Sequence, residues 1–178
     1  MLRHVAWLNE ALVEPCPEGG LTSSDASVLR RCLIPARELE NLGIECSVFG
    51  NLDEADPTQV SKHLKKLETD IVVIGKISEP TRSALARAAK HLGCYIIADF
   101  SHETDLSVDV LQLAEIADQI VVSTVAGADL IHKKTGASAS VIPDCENDSV
   151  SAVTHLWLDC FKKLKLKPPA SANSNTPE

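Results

Sequence analysis

Aromatic residues make up only 3% of the 178 positions, so the apolar interior must be built mainly from Leu, Ile, Val and Ala. Positive charge is also short: 17 Lys and Arg stand against 25 Asp and Glu, a formal net charge of −8. That balance argues against a broad electrostatic footprint for nucleic acid or an anionic membrane. No stretch approaches the ~18–20 apolar residues that a membrane helix needs. The opening MLRHVAWLNEALVEP has no long apolar core before a small-residue cleavage site, so no secretory leader is expected. The six cysteines (Cys16, Cys32, Cys46, Cys94, Cys145 and Cys160) form no CxxC and no Cys/His pair at ligand spacing. Neither GxGxxG nor the P-loop pattern occurs, and no GxSxG offers a hydrolase nucleophile. The expectation is a cytoplasmic protein with reduced thiols, no metal and no cofactor.

What is present is a regular alternation. Short apolar runs at 5–8, 44–49, 70–76, 94–98, 119–123 and 138–142 predict six strands. Ile71, Val72, Val73 and Ile74 in unbroken succession are what a strand buried on both faces requires. Between the strands, Ser24 or Asp25 caps a helix reaching about residue 41, with Val28, Cys32, Ala36 and Leu39 at helical spacing. Pro35 inside that pattern predicts a kink or break. Further helices are predicted from Asp56-Pro57 to about 68, from Glu79-Pro80 to 91, over 108–117, from 124 to about 135, and over 149–164. The breaker-rich stretch 9–24 reads as a loop, and residues 165–178 as a disordered polar tail. The fold class is therefore α/β: a single domain over 1–164 with a doubly wound, mostly parallel six-stranded Rossmann-like sheet. The strand order expected is 3-2-1-4-5-6.

Ligands of such sheets bind at the carboxyl ends of the strands, near the point where strand order reverses. That rule selects the Gly19-Gly20 loop with Ser23 and Ser24, then Gly75-Lys76, the run from Asp99 to Glu103, Ser123-Thr124 and Pro143-Asp144. The glycine loop can present backbone N–H groups to an anion, or can be a plain surface loop. Lys76 can neutralise an anionic group or simply end its strand. Asp99 and His102, three residues apart, can share a proton as base or hydrogen-bond anchor. Asp99 can equally cap loop amides. The basic run Lys162, Lys163, Lys165 and Lys167 reads as a solvated helix end.

Arg31-Cys32-Leu33-Ile34-Pro35-Ala36-Arg37-Glu38-Leu39, followed by Leu42-Gly43-Ile44, resembles the R-x-x-I-P-A-x-x-L…G stretch of some GT-B-type glycosyltransferases of the glycogen phosphorylase/glycogen synthase-like superfamily. Stretches 70–76, 95–99, 117–124 and 141–144 agree with it, so the resemblance spans roughly 5–144. It implies an N-terminal, acceptor-side domain. In that family a C-terminal Rossmann-like domain holds most of the nucleotide-sugar donor, and no second sheet is expected after residue 143 here. The resemblance implies a cleft lined by Gly20, Ser23, Arg31, Lys76, Asp99, His102 and Thr124; of these, Asp99 and His102 are the catalytic candidates the strand-end reading already gave, and Gly20, Ser23, Arg31, Lys76 and Thr124 the substrate-binding ones. Ser101-His102-Glu103 stands where the family often has further acidic residues.

The expected function is a glycosyltransferase-like half-domain that binds a sugar or nucleotide-sugar as an accessory module, or acts in trans with a donor-domain protein. Any activity would be hexosyl transfer. One alternative is a small stand-alone sugar- or nucleotide-modifying transferase using the Asp99/His102 loop. Another is a flavodoxin- or receiver-like regulatory module, for which Asn9-Glu10 is a poor acidic pair and Pro143-Asp144 replaces the late lysine. The last helix carries an apolar stripe of Val150, Val153, Leu156, Trp157, Cys160, Phe161 and Leu164. It can pack on the sheet's own flank or form a homodimer or partner surface.

Overall fold

A computed structural model describes residues 2–17, 19–52, 54–101, 108–146 and 149–165. Strand β1 (His4–Leu8) is followed by a two-stranded antiparallel hairpin, β2 (Glu14–Pro15) and β3 (Leu21–Thr22), inside the segment expected to be only loop. Helix α1 (Ala26–Val28) runs into a π-helical turn, Leu29–Leu33, and on into α2 (Ile34–Asn41). Then come β4 (Glu45–Phe49), α3 (Pro57–Lys66), β5 (Ile71–Ile74), α4 (Thr81–His91), β6 (Tyr95–Asp99) and α5 (Val108–Ile116). The chain continues through β7 (Gln119–Val122), α6 (Val125–Thr135), β8 (Ala139–Val141) and α7 (Val150–Lys165). Helix α7 thus takes in Lys165, and the rest of the expected tail lies outside the described residues.

The main sheet is parallel throughout, in the order β4-β1-β5-β6-β7-β8. Counted along the chain, its strands run 2-1-3-4-5-6, which corrects the expected 3-2-1-4-5-6. The reason lies in burial. The expected order would put Ile71–Ile74 at an edge, yet all four residues are fully buried and need a strand on either side. Strand β4 opens on exposed Glu45 and is otherwise half-buried, so it can accept the edge.

Local chemistry starts and stops the helices. The Asp25 carboxylate accepts the N–H groups of Ser27 and Val28, and Asp56 accepts that of Thr58, with Pro57 at the first helical position. Gly136 closes α6 at φ 72°, a left-handed turn that glycine adopts without steric cost. The expected break at Pro35 takes the form of the π-helical turn just before it. Within that turn Ile34 N–H bonds to the carbonyl of Leu29, five residues back. Pro35 has no N–H to continue the pattern, and the Arg30 carbonyl receives the N–H of Cys145 at 3.4 Å instead.

Each face of the sheet has its own apolar core. Helices α3 to α6 cover one face with Leu64, Leu85, Ala89, Leu113 and Ile131. On the other, α2 and α7 pack Leu39, Val153, Trp157 and Phe161 over Val5, Trp7 and Val73. Both tryptophans, Phe161 and Tyr95 belong to this second face, while Phe49 and Phe100 pack on the first. Trp7 meets Trp157 edge-on with ring centroids 6.1 Å apart, and Phe161 at 6.3 Å. The stripe of α7 therefore lies against its own sheet, and Leu156 is that helix's exposed large apolar side chain.

At the opposite, amino end of the sheet, His4 is buried and bridges two hydroxyls, with Nδ1 3.0 Å from Thr69 Oγ1 and Nε2 3.0 Å from Ser47 Oγ. Burial pushes its pKa below the usual 6.5, against the opposing pull of Glu45 and Asp70.

Two outcomes follow from these contacts. Trp157→Ala should cost about 3–5 kcal/mol in urea unfolding, because it removes a fully buried ring from a packed face. His4 has a depressed folded pKa, so its share of stability is complete above about pH 6.5 and is lost as pH falls toward the folded value. Unfolding free energies measured across that window should fall more steeply for the wild type than for His4→Gln.

Candidate functional site

Strand β1 has a neighbour on each side that follows it in sequence, β4 and β5, so the chain leaves its carboxyl end one way and returns on the other. This is the switch point where connections part and a crevice opens. Asn9 and Glu10 enter the crevice from the end of β1, and Gly75 and Lys76 from the end of β5. Asp99 and Ser101 reach it from β6, while Asp25, Ser27 and Arg31 line it from the first helix.

Arg31 organises the floor. Its side chain is 2% exposed, and its Nε and Nη2 bind Asp99 Oδ2 and Oδ1 at 2.8 and 3.0 Å. Nη1 donates to the Ile142 carbonyl at 2.7 Å and to Asp144 Oδ1 at 3.0 Å. The guanidinium carbon lies 5.9 Å from the Trp157 ring centroid. Burial works against its charge, but Asp99 and then Asp144 more than offset that, so the pKa lies above its ordinary value. The widened π turn is the local backbone that carries Arg31 inward. Two thiols lie beside it. Burial raises the Cys32 pKa, and holds Cys145 at about 11, in spite of the lowering influence of Arg31. Both are protonated at neutral pH and are poor nucleophiles.

The structure brings Arg31, Lys76 and Asp99 together at the crevice. Lys76 Nζ pairs with Glu10 Oε1 at 3.0 Å on the exposed rim. Gly20 lies elsewhere, in the β2–β3 hairpin, lining a hollow with Leu21, Ala36 and Arg37 near β4. Ser23 holds a turn: its Oγ donates to the Leu12 carbonyl at 2.7 Å and accepts the Asp25 N–H at 3.2 Å. Thr124 caps α6 by accepting the Gly127 N–H at 3.1 Å, beyond the crevice. His102 lies outside the described residues, and with it the geometry of the expected Asp99/His102 pair. Of the crevice residues, sequence reasoning reached Asp144 through the Pro143-Asp144 strand end and did not single out Asn9, whose place directly after β1 is the signal that could have found it.

The chain is similar in fold to MurG from Acinetobacter baumannii, at a TM-score of 0.53 and 13% identity, over 79% of this chain and 45% of that one. It spans less than half the length of that protein. A looser likeness joins it to the sugar isomerase domain of an RpiR transcription factor from Sphaerobacter thermophilus. There the TM-score is 0.45 at 17% identity, over 92% of this chain and 72% of that one. No protein-family model and no curated protein matches the chain. Among the described residues no group of three or more His, Cys, Asp or Glu could hold a metal ion, and no helix is long and apolar enough to cross a membrane.

Removing one member of a buried, hydrogen-bonded ion pair strands the other. Arg31→Ala should therefore destabilise the fold by about 3–5 kcal/mol. Arg31→Lys should recover little of it, since an ammonium lacks the fork that grips Asp99 at two points. Denaturant titration of the two variants beside the wild type checks both.

Proposed function

We propose that the chain is a glycosyltransferase-like recognition half-domain: it holds a sugar-class ligand in the crevice between β1 and β5 and works with a nucleotide-sugar-binding partner chain. The observation that carries this reading is the state of Asp99. A base at the end of β6 needs a carboxylate oxygen free to take a proton, and both oxygens of Asp99 are bound to a buried guanidinium. Such a carboxylate holds geometry. His102, the other half of the Asp99/His102 alternative, lies outside the described residues. Likeness in fold to MurG, a GT-B glycosyltransferase, supports the architectural class and stands only as analogy for the activity. Six cysteines without disulfide partners are in keeping with a reducing, cytoplasmic setting.

The test is calorimetric titration of the purified chain with free monosaccharides and with nucleotide-sugars, followed by an assay for hexosyl transfer. The expected result is sugar binding without transfer by this chain alone, and transfer once a donor-binding chain is added. Turnover of a nucleotide-sugar by the chain alone would overturn the reading.

A further inference from the structure

The amino end of the sheet holds a second constellation, one that the crevice does not use. His4 faces Glu45 across the β1–β4 ladder, and Ser47 lies two residues farther along on the same face. Its Oγ stands 3.0 Å from His4 Nε2, while Thr69 Oγ1 holds His4 Nδ1 at 3.0 Å from the other side. With Nδ1–H donated to Thr69, the Nε2 lone pair accepts the Ser47 hydroxyl. A hydroxyl bonded to an imidazole whose other nitrogen is held by a third group is the arrangement of an activated nucleophile.

Three features around the pair suit acyl transfer. Burial of His4 outweighs the opposing pull of Glu45 and Asp70, so the imidazole is neutral at pH 7 and can take a proton. Ser47 is half-buried and, with His4, Gly43, Ile44 and Leu67, lines a hollow of about 420 Å³. Glu40 and Glu45 line it too, and disfavour an anionic acyl group. Finally, β4 is an edge strand. Glu45 N–H binds the Arg3 carbonyl and the Phe49 carbonyl accepts Asn9 N–H, so the alternate N–H groups of Cys46 and Val48 point away from the sheet. The Val48 N–H, one residue past the hydroxyl, can meet a developing oxyanion. We propose that Ser47 is a nucleophile that takes the acyl group of a small neutral ester, with His4 as its base. Oγ bonds the carbonyl carbon as its proton passes to Nε2; the bond to the alcohol then breaks, and the alcohol leaves with that proton. Water attacks the acyl-serine, its proton passing through Nε2 to Oγ, and the carboxylic acid departs. The site is separate from the crevice and does not rest on the sugar-binding reading.

p-Nitrophenyl acetate serves as the ester and diisopropyl fluorophosphate as the trap, which loses fluoride as the Oγ–P bond forms. Both are applied to the full chain, and peptide mass mapping locates the adduct. The expected adduct is on Ser47. Release of p-nitrophenol should fall about a hundredfold in His4→Gln. In the wild type its rate should be level above about pH 6.5 and decline below it as His4 takes a proton. Ser47→Cys, which keeps a nucleophile at this position, should still be acylated there. Trapping of the wild type decides the matter even if a variant fails to fold. Adducts scattered over surface lysines overturn the proposal. So does an adduct on Cys46, whose thiol burial pushes up to about 12. Acylation of Ser47 at an equal rate in folded His4→Gln overturns the role of His4 as base. Absence of any adduct means that His4, Ser47 and Thr69 only hold the strands together, and overturns the proposal outright. None of these results bears on sugar binding at the crevice.

Discussion

One guanidinium holds together three parts of the chain that are distant in sequence. Arg31 on the first helix grips Asp99 at the end of β6, and the Ile142 carbonyl and Asp144 beyond β8. Taking an arginine and a carboxylate out of water is costly, and the cost is offset only when geometry and additional hydrogen bonds are good. Here the bond to Asp99 is two-pronged and the remaining contacts come from a carbonyl and a second carboxylate. The clamp matters less as net stabilisation than as a constraint. Shifting any of the three segments would leave a buried charge without its partner, so the carboxyl ends of the strands keep one arrangement.

The crevice inherits its position from that constraint and from strand order. With β4 and β5 on opposite sides of β1, the connections part at the end of β1 and leave space there. The clamp forms one wall and the Lys76–Glu10 pair part of the rim. Arg31 and Lys76, the cations at the crevice, are both paired with carboxylates of the protein itself. The first five strands share the order of flavodoxin-like sheets. Architecture alone therefore does not choose among functions, and the side chains at the crevice carry that argument.

Much of the fold was legible because its signals are local. Asp25, Asp56-Pro57 and Gly136 mark helix ends through contacts within a few residues of themselves, and the break before Pro35 follows from a missing N–H. Strand order was read wrongly because it depends on a comparison between strands. The four fully buried residues of β5 against the exposed start of β4 already contained the answer. The clamp was less accessible. Arg31 sits three positions after Val28 on the helix's apolar stripe, a sign that it points inward, but Asp99 and Asp144 lie 68 and 113 residues away. Nothing local links them. Gly20, Ser23 and Thr124 were chosen for lying near strand ends, and the folded chain uses Ser23 and Thr124 to hold a turn and a helix start.

The meeting of both tryptophans on one face also has a spectroscopic consequence. The chain has two tryptophans, and they meet edge-on, with Arg31 near the ring of one of them. Intrinsic fluorescence thus originates at a single junction between sheet, α7 and guanidinium. Its emission wavelength and quenching track that junction in particular, so a label-free optical signal is built in beside the floor of the crevice.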